Sequence, residues 1–385
     1  MREEERRHHT NKKHKRMTKR QRMRKRRRRL FVIECFALVF LVAFLFAWLK
    51  LGLINFDRLG LIAANNLDDK TKEMLEGYTT IAFFGVDNRS NGEYESGNSD
   101  SMMICNIDNE TKEVKVLSLY RDTTLEVDGD GTYYKCNYAY NHGGPKEAIE
   151  MMNRNLDLNI QDYVAVDFNA LVEAIDAVGG VEITLTQQEI DVMDEKGYMG
   201  EVAYVTGHMD EVVTLSPGTQ TVNGVVATAY CRIRNTAGDD FARAERQRTV
   251  LTQLIQKAQS ASFSELNDLI DGVFPKISTS LSLKQMLGLA SAMKDYELVD
   301  TCGFPFSMAA ADWDEAGKKV VVPCTLSGNV TALYQYLYNE SDYKPTETVQ
   351  SISSYIEEET GLDESDAVDY GYGPEQTESE QTESE

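Results

Sequence analysis

The chain has 385 residues, of which 42% are hydrophobic and 26% charged, and this composition excludes collagen-like, mucin-like and wholly disordered proteins. Its formal net charge of −22 is unevenly distributed. Residues 1–29 contain 16 Lys or Arg and three Glu, whereas the rest of the chain contains 24 bases and 59 acids. The asymmetry predicts a short cationic arm that meets an anionic surface and a strongly acidic body.

The first predicted element is a membrane-spanning helix at residues 30–50. The run from Leu30 to Leu49 has Glu34 as its one strongly polar residue. A helix of 20 residues is about 30 Å long, which matches the hydrocarbon thickness of a bilayer. Because the basic residues precede the span, the arm at 1–29 is expected to stay cytoplasmic and the later residues to lie outside the cell. A cleaved signal peptide is the alternative, but no A-x-A-type site follows the apolar run.

The basic arm by itself is compatible with nucleic-acid binding or with anionic lipid headgroups. No zinc-finger spacing or recognition-helix pattern accompanies it. We therefore expect contact with membrane lipids and no nucleic-acid partner.

A linker at 51–77 leads into a predicted α/β domain at 78–340. Short apolar runs predict strands at 80–85, 101–107, 114–119, 163–167 and 181–185, and helical spacing predicts helices at 146–156, 170–178 and 239–259. A hairpin among strand–helix units predicts an α/β layered domain with a mixed central sheet.

Two features close the chain. Cys302 and Cys324 lie in apolar stretches that could form paired strands, and an extracellular location would permit a disulfide between them; the sequence leaves this open. Residues 341–385 contain a tandem QTESE repeat and no basic residue after Lys344, so we expect an acidic disordered tail.

The predicted helix at 239–259 carries polar residues in line with its apolar stripe. Leu251, Leu254 and Ala258 mark the inward face by their spacing, and the same stripe continues backwards through three polar residues, Gln247, Arg243 and Asp240. The pattern predicts that these side chains line a cavity; a surface face with Asp–Arg pairs is the alternative.

Arginines just before this helix suggest an anionic ligand. Arg232 and Arg234 alternate on one side of an extended segment and are expected to meet Arg243. A guanidinium group binds a phosphate group through two parallel hydrogen bonds, so the pattern favours a polyanion.

Acidic residues stand at the ends of the first three strands of the domain. Asp87 follows the first strand, Asp100 opens the second, and Arg121-Asp122 ends the third. Strand ends are where α/β sheets present ligand sites. Two carboxylates beside arginines suggest Mg²⁺ shared with substrate phosphates, with Mn²⁺ as the alternative; solvated loop residues are the structural alternative.

Several motifs in a fixed order resemble one family. They are GVDNR, NSDSMMICNIDNETKEVKVLSLYRD, KCNYAYNHGGP, VGGVE, LSPGTQTVNGVVATAYCRIRN and DDFARAERQ. In this order they resemble the LytR–CpsA–Psr family over a motif core at 78–258. The resemblance implies an α/β/α-layered envelope phosphotransferase that moves an anionic glycopolymer from a polyprenyl-pyrophosphate carrier to peptidoglycan with Mg²⁺.

The resemblance also implies roles for individual residues. Asp87 and Asp100 match the Mg²⁺ ligands, and Arg121, Arg232, Arg234 and Arg243 match the pyrophosphate-binding arginines. Asp240 and Gln247 match polar site residues. Asp240 and Asp122 are both candidates for the general base, and Asp122 alternatively orients Arg121.

Three positions depart from the usual family pattern. Asn98 stands where an arginine is common, so one phosphate contact is either missing or supplied by Arg89. Tyr120 replaces a common proline, and Cys136 replaces an aliphatic residue. These departures concern the fine geometry of the site.

Three other functions remain as alternatives. The same phosphate-binding residues would serve a polyprenyl-pyrophosphate hydrolase that uses water as acceptor. A membrane-bound transcriptional attenuator would rest on the basic arm alone, and a wall or lipid binder would need an inactive site. The sequence identifies neither the glycopolymer, the role of the tail nor the oligomeric state.

Overall fold

The computed structural model describes residues 55–57, 59–87, 94, 97–234 and 239–372, all within the unit Leu53–Glu385. The predicted arm at 1–29, the predicted span at 30–50, Arg89 and residues 373–385 lie outside these ranges. None of the helices within them combines the length and apolar character that a membrane span requires.

The strands of the domain form one large sheet and three two-stranded sheets. In chain order they are Asn55–Phe56 (β1), Tyr78–Asp87 (β2), Asn98–Asp108 (β3), Glu113–Leu119 (β4), Thr124–Glu126 (β5), Tyr133–Lys135 (β6), Asp162–Val166 (β7), Val181–Leu185 (β8), Gly218–Val222 (β9), Ile277–Thr279 (β10), Glu297–Phe304 (β11), Met308–Trp313 (β12) and Lys318–Pro323 (β13). The large sheet has the order β1-β10-β7-β2-β3-β4-β11, and the two-stranded sheets are β12-β13, β5-β6 and β8-β9.

The large sheet is mixed, as the sequence predicts. Strands β2, β3 and β4 form an antiparallel meander, while β7 runs parallel to β2 and β11 runs parallel to β4. Both edges of the meander are therefore extended by strands that arrive through helical connections. The strands predicted at 80–85, 101–107 and 114–119 all lie within this central region.

Helices cover both faces of the sheet. They are Asp69–Glu76 (α1), Asn137–Leu156 (α2), Phe168–Ala177 (α3), Gln187–Lys196 (α4), Tyr198–Thr206 (α5), Gly224–Tyr230 (α6), Asp239–Ser260 (α7), Phe263–Val273 (α8), Leu283–Ala292 (α9), Leu326–Tyr338 (α10) and Glu347–Thr360 (α11). Helices α2, α10 and α11 pack on one face, and α3 and α7 pack on the other.

Side-chain alternation along the strands separates two cores. Phe84 and Met102 point into the core beneath α2, whereas their neighbours Phe83 and Met103 face the opposite side. Successive strand residues point to opposite faces of a sheet, so a fully buried sheet requires apolar residues at nearly every position. The continuous apolar runs in the sequence satisfy this requirement and produce the α-β-α layers.

The helix predicted at 146–156 begins earlier in the structure, at Asn137. Gly144 adopts φ 67° and ψ −158°, a conformation outside the helical region that glycine tolerates best, and it kinks the helix. Pro145 follows the kink, where its missing N–H costs no intrahelical hydrogen bond. The sequence therefore predicts the second segment of α2 and misses the first.

The Cys302 and Cys324 stretches, whose pairing the sequence leaves open, do not pair with each other in the structure. Cys302 lies in β11, which pairs with β4, whereas the strand before Cys324 pairs with β12. Both thiols are free and buried. Burial raises the pKa of the Cys324 thiol to about 11.

The prediction of a disordered tail at 341–385 is wrong for the first part of this range. Residues 347–360 form α11, capped by Thr346, and Val349, Ile352 and Ile356 of this helix are buried in the core beneath α2. Charged residues on the outer face of the helix hide this apolar stripe from an argument based on composition. The QTESE repeats lie in residues 373–385, outside the described ranges.

Candidate active site

A cavity of about 370 Å³ lies between the sheet and helices α3 and α7. One part of its lining is apolar. The side chains there are Phe83, Met103, Leu171, Val250, Leu251 and Leu254. Its other end is charged. The side chains there are Asp87, Asp100, Arg232, Arg234, Arg243 and Gln247. One cavity therefore offers both an apolar chamber and a group of ionic side chains.

The predicted stripe of α7 is confirmed. Arg243, Gln247, Leu251 and Leu254 line the large cavity, and Asp240 lines a small cavity beside it that also contains Arg121 and Asp122. Gln247 donates from Nε2 to the carbonyl oxygen of Cys231 at 3.4 Å. The polar residues at the start of α7 thus lie on the helix face that is apolar further along, as the i, i+3 and i+4 spacing requires.

Asp100 is the centre of an arginine cluster. Arg121 Nη1 lies 2.6 Å from Asp100 Oδ1, and Arg234 Nη2 lies 3.3 Å from Asp100 Oδ2. Arg243 Nη2 donates to the backbone carbonyl oxygen of Asp100 at 3.0 Å. Three guanidinium groups from β4's end, the segment after α6, and α7 therefore converge on one residue of β3.

Asp240 binds the same three arginines from the opposite side. Its carboxylate oxygens lie 3.3 Å from Arg243 Nη1, 3.5 Å from Arg121 Nη2 and 3.8 Å from Arg234 Nε. Two carboxylates thus hold three guanidinium groups together, which leaves the five groups with a net positive charge. An anionic ligand would find its counter-charges already positioned.

Burial and neighbouring charges shift the pKa values of residues in this cluster. Burial, together with the nearby Arg121 guanidinium, lowers the pKa of Arg243 to about 10, so Arg243 remains protonated at neutral pH. Burial also tends to raise the pKa of Asp240, but the guanidinium groups of Arg243 and Arg121 outweigh it and keep this pKa below its ordinary value. Asp240 is therefore ionised at neutral pH.

Asp122 behaves in the opposite way. Burial raises its pKa, Arg121 and Lys135 only partly offset this effect, and the neighbouring Asp240 carboxylate raises the pKa further. The two carboxyl groups are close enough for each to shift the pKa of the other. The pair consequently consists of one carboxylate that ionises easily and one carboxyl that retains a proton to higher pH.

Lys135 is a residue of this site that the sequence argument missed. Its Nζ lies 3.1 Å from Asp122 Oδ1, because β6 pairs with β5 and brings it next to the residue after Arg121. The lysine stands directly before Cys136 in the KCNYAYNHGGP motif, and this position is the signal that could have identified it.

Arg232 lines the cavity but does not join the cluster. Its Nη2 lies 3.0 Å from Glu201 Oε2, and its guanidinium stacks over the rings of Phe168 and Tyr198 at 5.0 and 5.2 Å. The chain turns tightly after α6, with Arg232 N donating to the Ala229 carbonyl oxygen at 3.0 Å. The predicted convergence of Arg232, Arg234 and Arg243 is therefore correct only for the last two, which Arg121 joins.

Asp87 and Asp100 lie at the same edge of the sheet. Asp87 ends β2, opposite Asn98 of β3, and both carboxylates line the large cavity. Their hard oxygen atoms are the ligand type that Mg²⁺ prefers, and Mg²⁺ commonly uses one or two carboxylates together with substrate phosphate oxygens. The donor set therefore fits Mg²⁺, although in the structure Asp100 is bound by arginines.

The three residues that depart from the usual family pattern each make a specific contact in the structure. Tyr120 packs edge-on against Phe241, the neighbour of Asp240, with ring centroids 4.7 Å apart. Cys136 donates from Sγ to the carbonyl oxygen of Tyr120 at 3.2 Å. Asn98 accepts from Asn141 Nδ2 at 3.0 Å. Arg89, the candidate for supplying the missing phosphate contact, lies outside the described residues.

Comparisons with known proteins agree with this architecture. The LytR_cpsA_psr family model matches residues 61–322. The polyisoprenyl-teichoic acid–peptidoglycan teichoic acid transferase TagV of Bacillus subtilis (strain 168) is 28% identical over 61% of this chain and 58% of its own length. TagU of Halalkalibacterium halodurans, which carries the same enzyme name, is 30% identical over 58% of this chain and 69% of its own length.

The match thus covers about three fifths of TagV. Among solved structures, protein gbs0355 of Streptococcus agalactiae superimposes with a TM-score of 0.57 at 24% identity, over 73% of this chain and 93% of that protein. This likeness supports the same mixed α/β fold.

Proposed function

The chain belongs to the LytR–CpsA–Psr family, and from this premise we propose that it is a phosphotransferase that moves an anionic glycopolymer from a polyprenyl-pyrophosphate carrier to peptidoglycan. The enzyme name shared by TagV and TagU supports this class of reaction. The observation that carries the proposal is the cavity itself, in which an apolar chamber ends at a cluster of partly buried arginines. A carrier lipid with a diphosphate headgroup combines these same two properties.

In this proposal the prenyl chain occupies the apolar part of the cavity, along Leu251 and Leu254 of α7. The diphosphate binds Arg121, Arg234 and Arg243, and Asp100 and Asp240 hold these guanidinium groups in place before the substrate arrives. Preorganised cations cost little reorganisation when negative charge shifts to the leaving polyprenyl phosphate. Arg232, held by Glu201 on the other wall, contacts the substrate further from the reacting phosphorus.

The reaction is an attack by a peptidoglycan hydroxyl on the phosphorus that carries the polymer sugar. The new bond joins the hydroxyl oxygen to this phosphorus, and the bond to the bridging oxygen breaks and releases polyprenyl phosphate. The hydroxyl proton passes to the Asp122–Asp240 pair. Since burial raises the pKa of Asp122, we assign to it the retention of this proton, with Asp240 fixing the arginines.

We also propose that Mg²⁺ takes part, held by Asp87 and Asp100. Bound there, the ion would neutralise charge on the phosphate oxygens. The donor chemistry of the two carboxylates supports this assignment. Mn²⁺ is the alternative, since it accepts the same oxygen ligands.

The proposed location is the cell membrane, with a single span at 30–50, the basic arm in the cytoplasm and the catalytic domain outside. The 20-residue apolar run and the basic flank before it support this topology. Such an anchor would keep the cavity close to the bilayer that contains the carrier lipid. Membrane lipids and peptidoglycan are the remaining proposed partners.

Product analysis with the purified full chain tests the function. The chain is incubated with a polyprenyl-pyrophosphate-linked glycopolymer and peptidoglycan, and the phosphodiester-linked product is identified by mass spectrometry. We expect transfer by the wild-type chain and by Lys70→Ala, an 80%-exposed control, and loss of transfer by Arg234→Ala. Release of free glycopolymer phosphate in place of transfer would establish the hydrolase alternative. Undiminished transfer by Arg234→Ala would refute the assignment of the site.

A further inference from the structure

Helix α9 presents large apolar side chains on its outer surface. Leu283 is 39% exposed and Leu287 is 60% exposed, and their i, i+4 spacing places them on the same side of the helix. None of the ten residues of α9 is buried. An exposed pair of leucines on a helix indicates a surface that binds another protein or a membrane.

The charge along this stretch of the sequence differs from that of the acidic body, although Gln285 of α9 donates to the carboxylate of Asp162. Residues 272–294 contain Lys276, Lys284 and Lys294 and no Asp or Glu. Lys276 is paired with Glu173 at 2.6 Å, whereas Lys284 is exposed next to Leu283 on α9 and Lys294 is exposed two residues after the helix ends. Lysines flanking apolar residues on an amphipathic helix favour an anionic lipid surface.

The chain also enters the domain next to α9. In the register of β1 and β10, Phe56 is opposite Thr279, and Asp57 N donates to the Thr279 carbonyl oxygen at 3.0 Å. Helix α9 begins at Leu283, four residues after β10. The proposed span ends at residue 50, and the five residues from there to Asn55 reach about 17 Å when fully extended. A membrane anchor would therefore keep the start of α9 within a short distance of the bilayer.

One residue of α9, Leu289, packs against an apolar cluster that shares residues with the cavity wall. Leu289 belongs to a cluster with Phe83, Met103 and Leu251, and the last three residues also line the cavity. Helix α9 therefore has exposed leucines on one side and, on another side, a leucine that contacts the apolar cluster next to the cavity. A carrier lipid leaving the bilayer near α9 would meet apolar surface on its way to the arginines.

From these observations we propose that α9 is a bilayer-docking surface. Leu283 and Leu287 insert at the boundary between headgroups and acyl chains, and Lys284 and Lys294 contact lipid phosphates. The occupant is the outer face of an anionic phospholipid bilayer. The inference rests on the proposed membrane anchorage and lipid substrate, and it adds which face of the domain meets the membrane.

Fluorescence quenching in nanodiscs tests the contact directly. The full chain is reconstituted in phosphatidylglycerol–phosphatidylcholine nanodiscs, with and without brominated acyl chains. Leu287→Trp is compared with Tyr204→Trp, a matched variant at a 79%-exposed position on α5. We expect the emission added by Leu287→Trp to be lost in brominated discs and the emission added by Tyr204→Trp to be retained.

The native tryptophans serve as an internal reference. Trp48 lies in the proposed span and should be quenched in every variant. Quenching of Trp48 without quenching at position 287 would overturn the docking surface and leave the anchorage intact. An unquenched Trp48 would count against the anchorage, and therefore against the docking surface as well.

A second variant keeps the inference testable through turnover. Leu283→Asp/Leu287→Asp is compared with Val368→Asp, a 48%-exposed control. We expect the double variant to lose turnover of a long-chain carrier lipid embedded in nanodiscs and to retain turnover of a short-chain analogue in detergent. Equal effects on the two substrates would contradict the docking role, because a damaged fold or site affects both.

Discussion

Arg121 Nη1 lies 2.6 Å from Asp100 Oδ1, so a guanidinium from the end of β4 is held by the carboxylate of the neighbouring strand. The same guanidinium reaches Asp240 of α7 through Nη2 at 3.5 Å. Arg121 thereby joins the edge of the sheet to the helix that lines the cavity. Its side chain is 17% exposed, so a ligand phosphate can still reach it.

Substitution of Arg121 tests whether its planar geometry matters in addition to its charge. We expect Arg121→Ala to lower kcat/KM for transfer by about 10²–10³-fold, since it removes a preorganised donor to the developing charge. Arg121→Lys should recover only part of this loss, because an ammonium group cannot contact Asp100 and Asp240 with the same fork. Steady-state kinetics measure both, with thermal unfolding as the control for folding. Full activity of Arg121→Lys would show that a single positive charge suffices.

The pH dependence of transfer should report the Asp122–Asp240 pair. Because burial raises the pKa of Asp122, protonation of the pair in the free enzyme should begin above the ordinary range of an Asp carboxyl. We expect kcat/KM to fall as the pH decreases through this raised pKa, because the proton acceptor is then occupied. In Asp122→Asn the acidic limb should move to lower pH or disappear along with most activity. An unchanged acidic limb in this variant would exclude Asp122 as the group that titrates.

The same pKa predicts an effect on stability with a definite sign. The folded chain keeps the Asp122 proton over a pH range in which the unfolded chain has released it, so the fold loses stability as the pH rises through that range. Asp122→Asn should therefore raise Tm relative to wild type at about pH 7.5, and less so at about pH 3.5, where both states hold the proton. Calorimetry at the two pH values measures the difference. A Tm change of the opposite sign would mean that the contacts of Asp122 with Lys135 and Arg121 outweigh its burial.

Metal dependence is expected to involve Asp87. We expect Asp87→Asn to raise the Mg²⁺ concentration needed for half-maximal transfer, and chelation to abolish transfer by the wild-type chain. Direct binding of Mn²⁺ as a probe, followed by electron paramagnetic resonance, provides a readout independent of activity. Mn²⁺ binding of equal affinity in wild type and Asp87→Asn would remove Asp87 from the proposed metal site.

The side chain of Tyr120, the residue before Arg121, leaves no room for a side chain at Gly303. A Cβ added at Gly303 would overlap the Tyr120 hydroxyl, because β11 lies directly beside β4. Gly303→Ala should destabilise the domain by about 1–3 kcal/mol, the usual cost of overpacking. Gly303→Ala/Tyr120→Leu should recover stability, since the shorter side chain no longer reaches Gly303. Urea unfolding measures both variants; additive destabilisation in the double variant would contradict the proposed contact.

The C-terminal helix α11 is expected to be part of the folded domain. Ile356 is fully buried against the core, so Ile356→Ala should cost about 2–5 kcal/mol of unfolding free energy. Ser354→Ala, at an exposed position of the same helix, is the control and should be nearly neutral. Truncation after Tyr372 should leave Tm unchanged, whereas truncation after residue 340 should lower it strongly. Equal Tm values for the two truncations would mean that residues 341–372 do not stabilise the fold, as the prediction of a disordered tail requires.

The sequence by itself determined those strands and helices whose buried face follows a regular spacing of apolar residues. The apolar runs at 80–85, 101–107 and 114–119 identify central strands, and the spacing from Asp240 to Leu254 identifies the face of α7 that lines the cavity. Such patterns depend only on which side of one element is buried, and neighbouring residues reveal it. The family resemblance adds the roles of individual residues, because the order of its motifs is itself sequence information.

Only the tertiary structure decided which charges meet. Arg232 and Arg234 are two residues apart, yet one is bound by Glu201 and the other by Asp100, because the turn after α6 sends them to different walls. The packing partners of Tyr120 and α11 likewise come from distant segments that the sheet order brings together. Ionic and packing partners depend on the spatial arrangement of whole elements, and no local spacing encodes that arrangement.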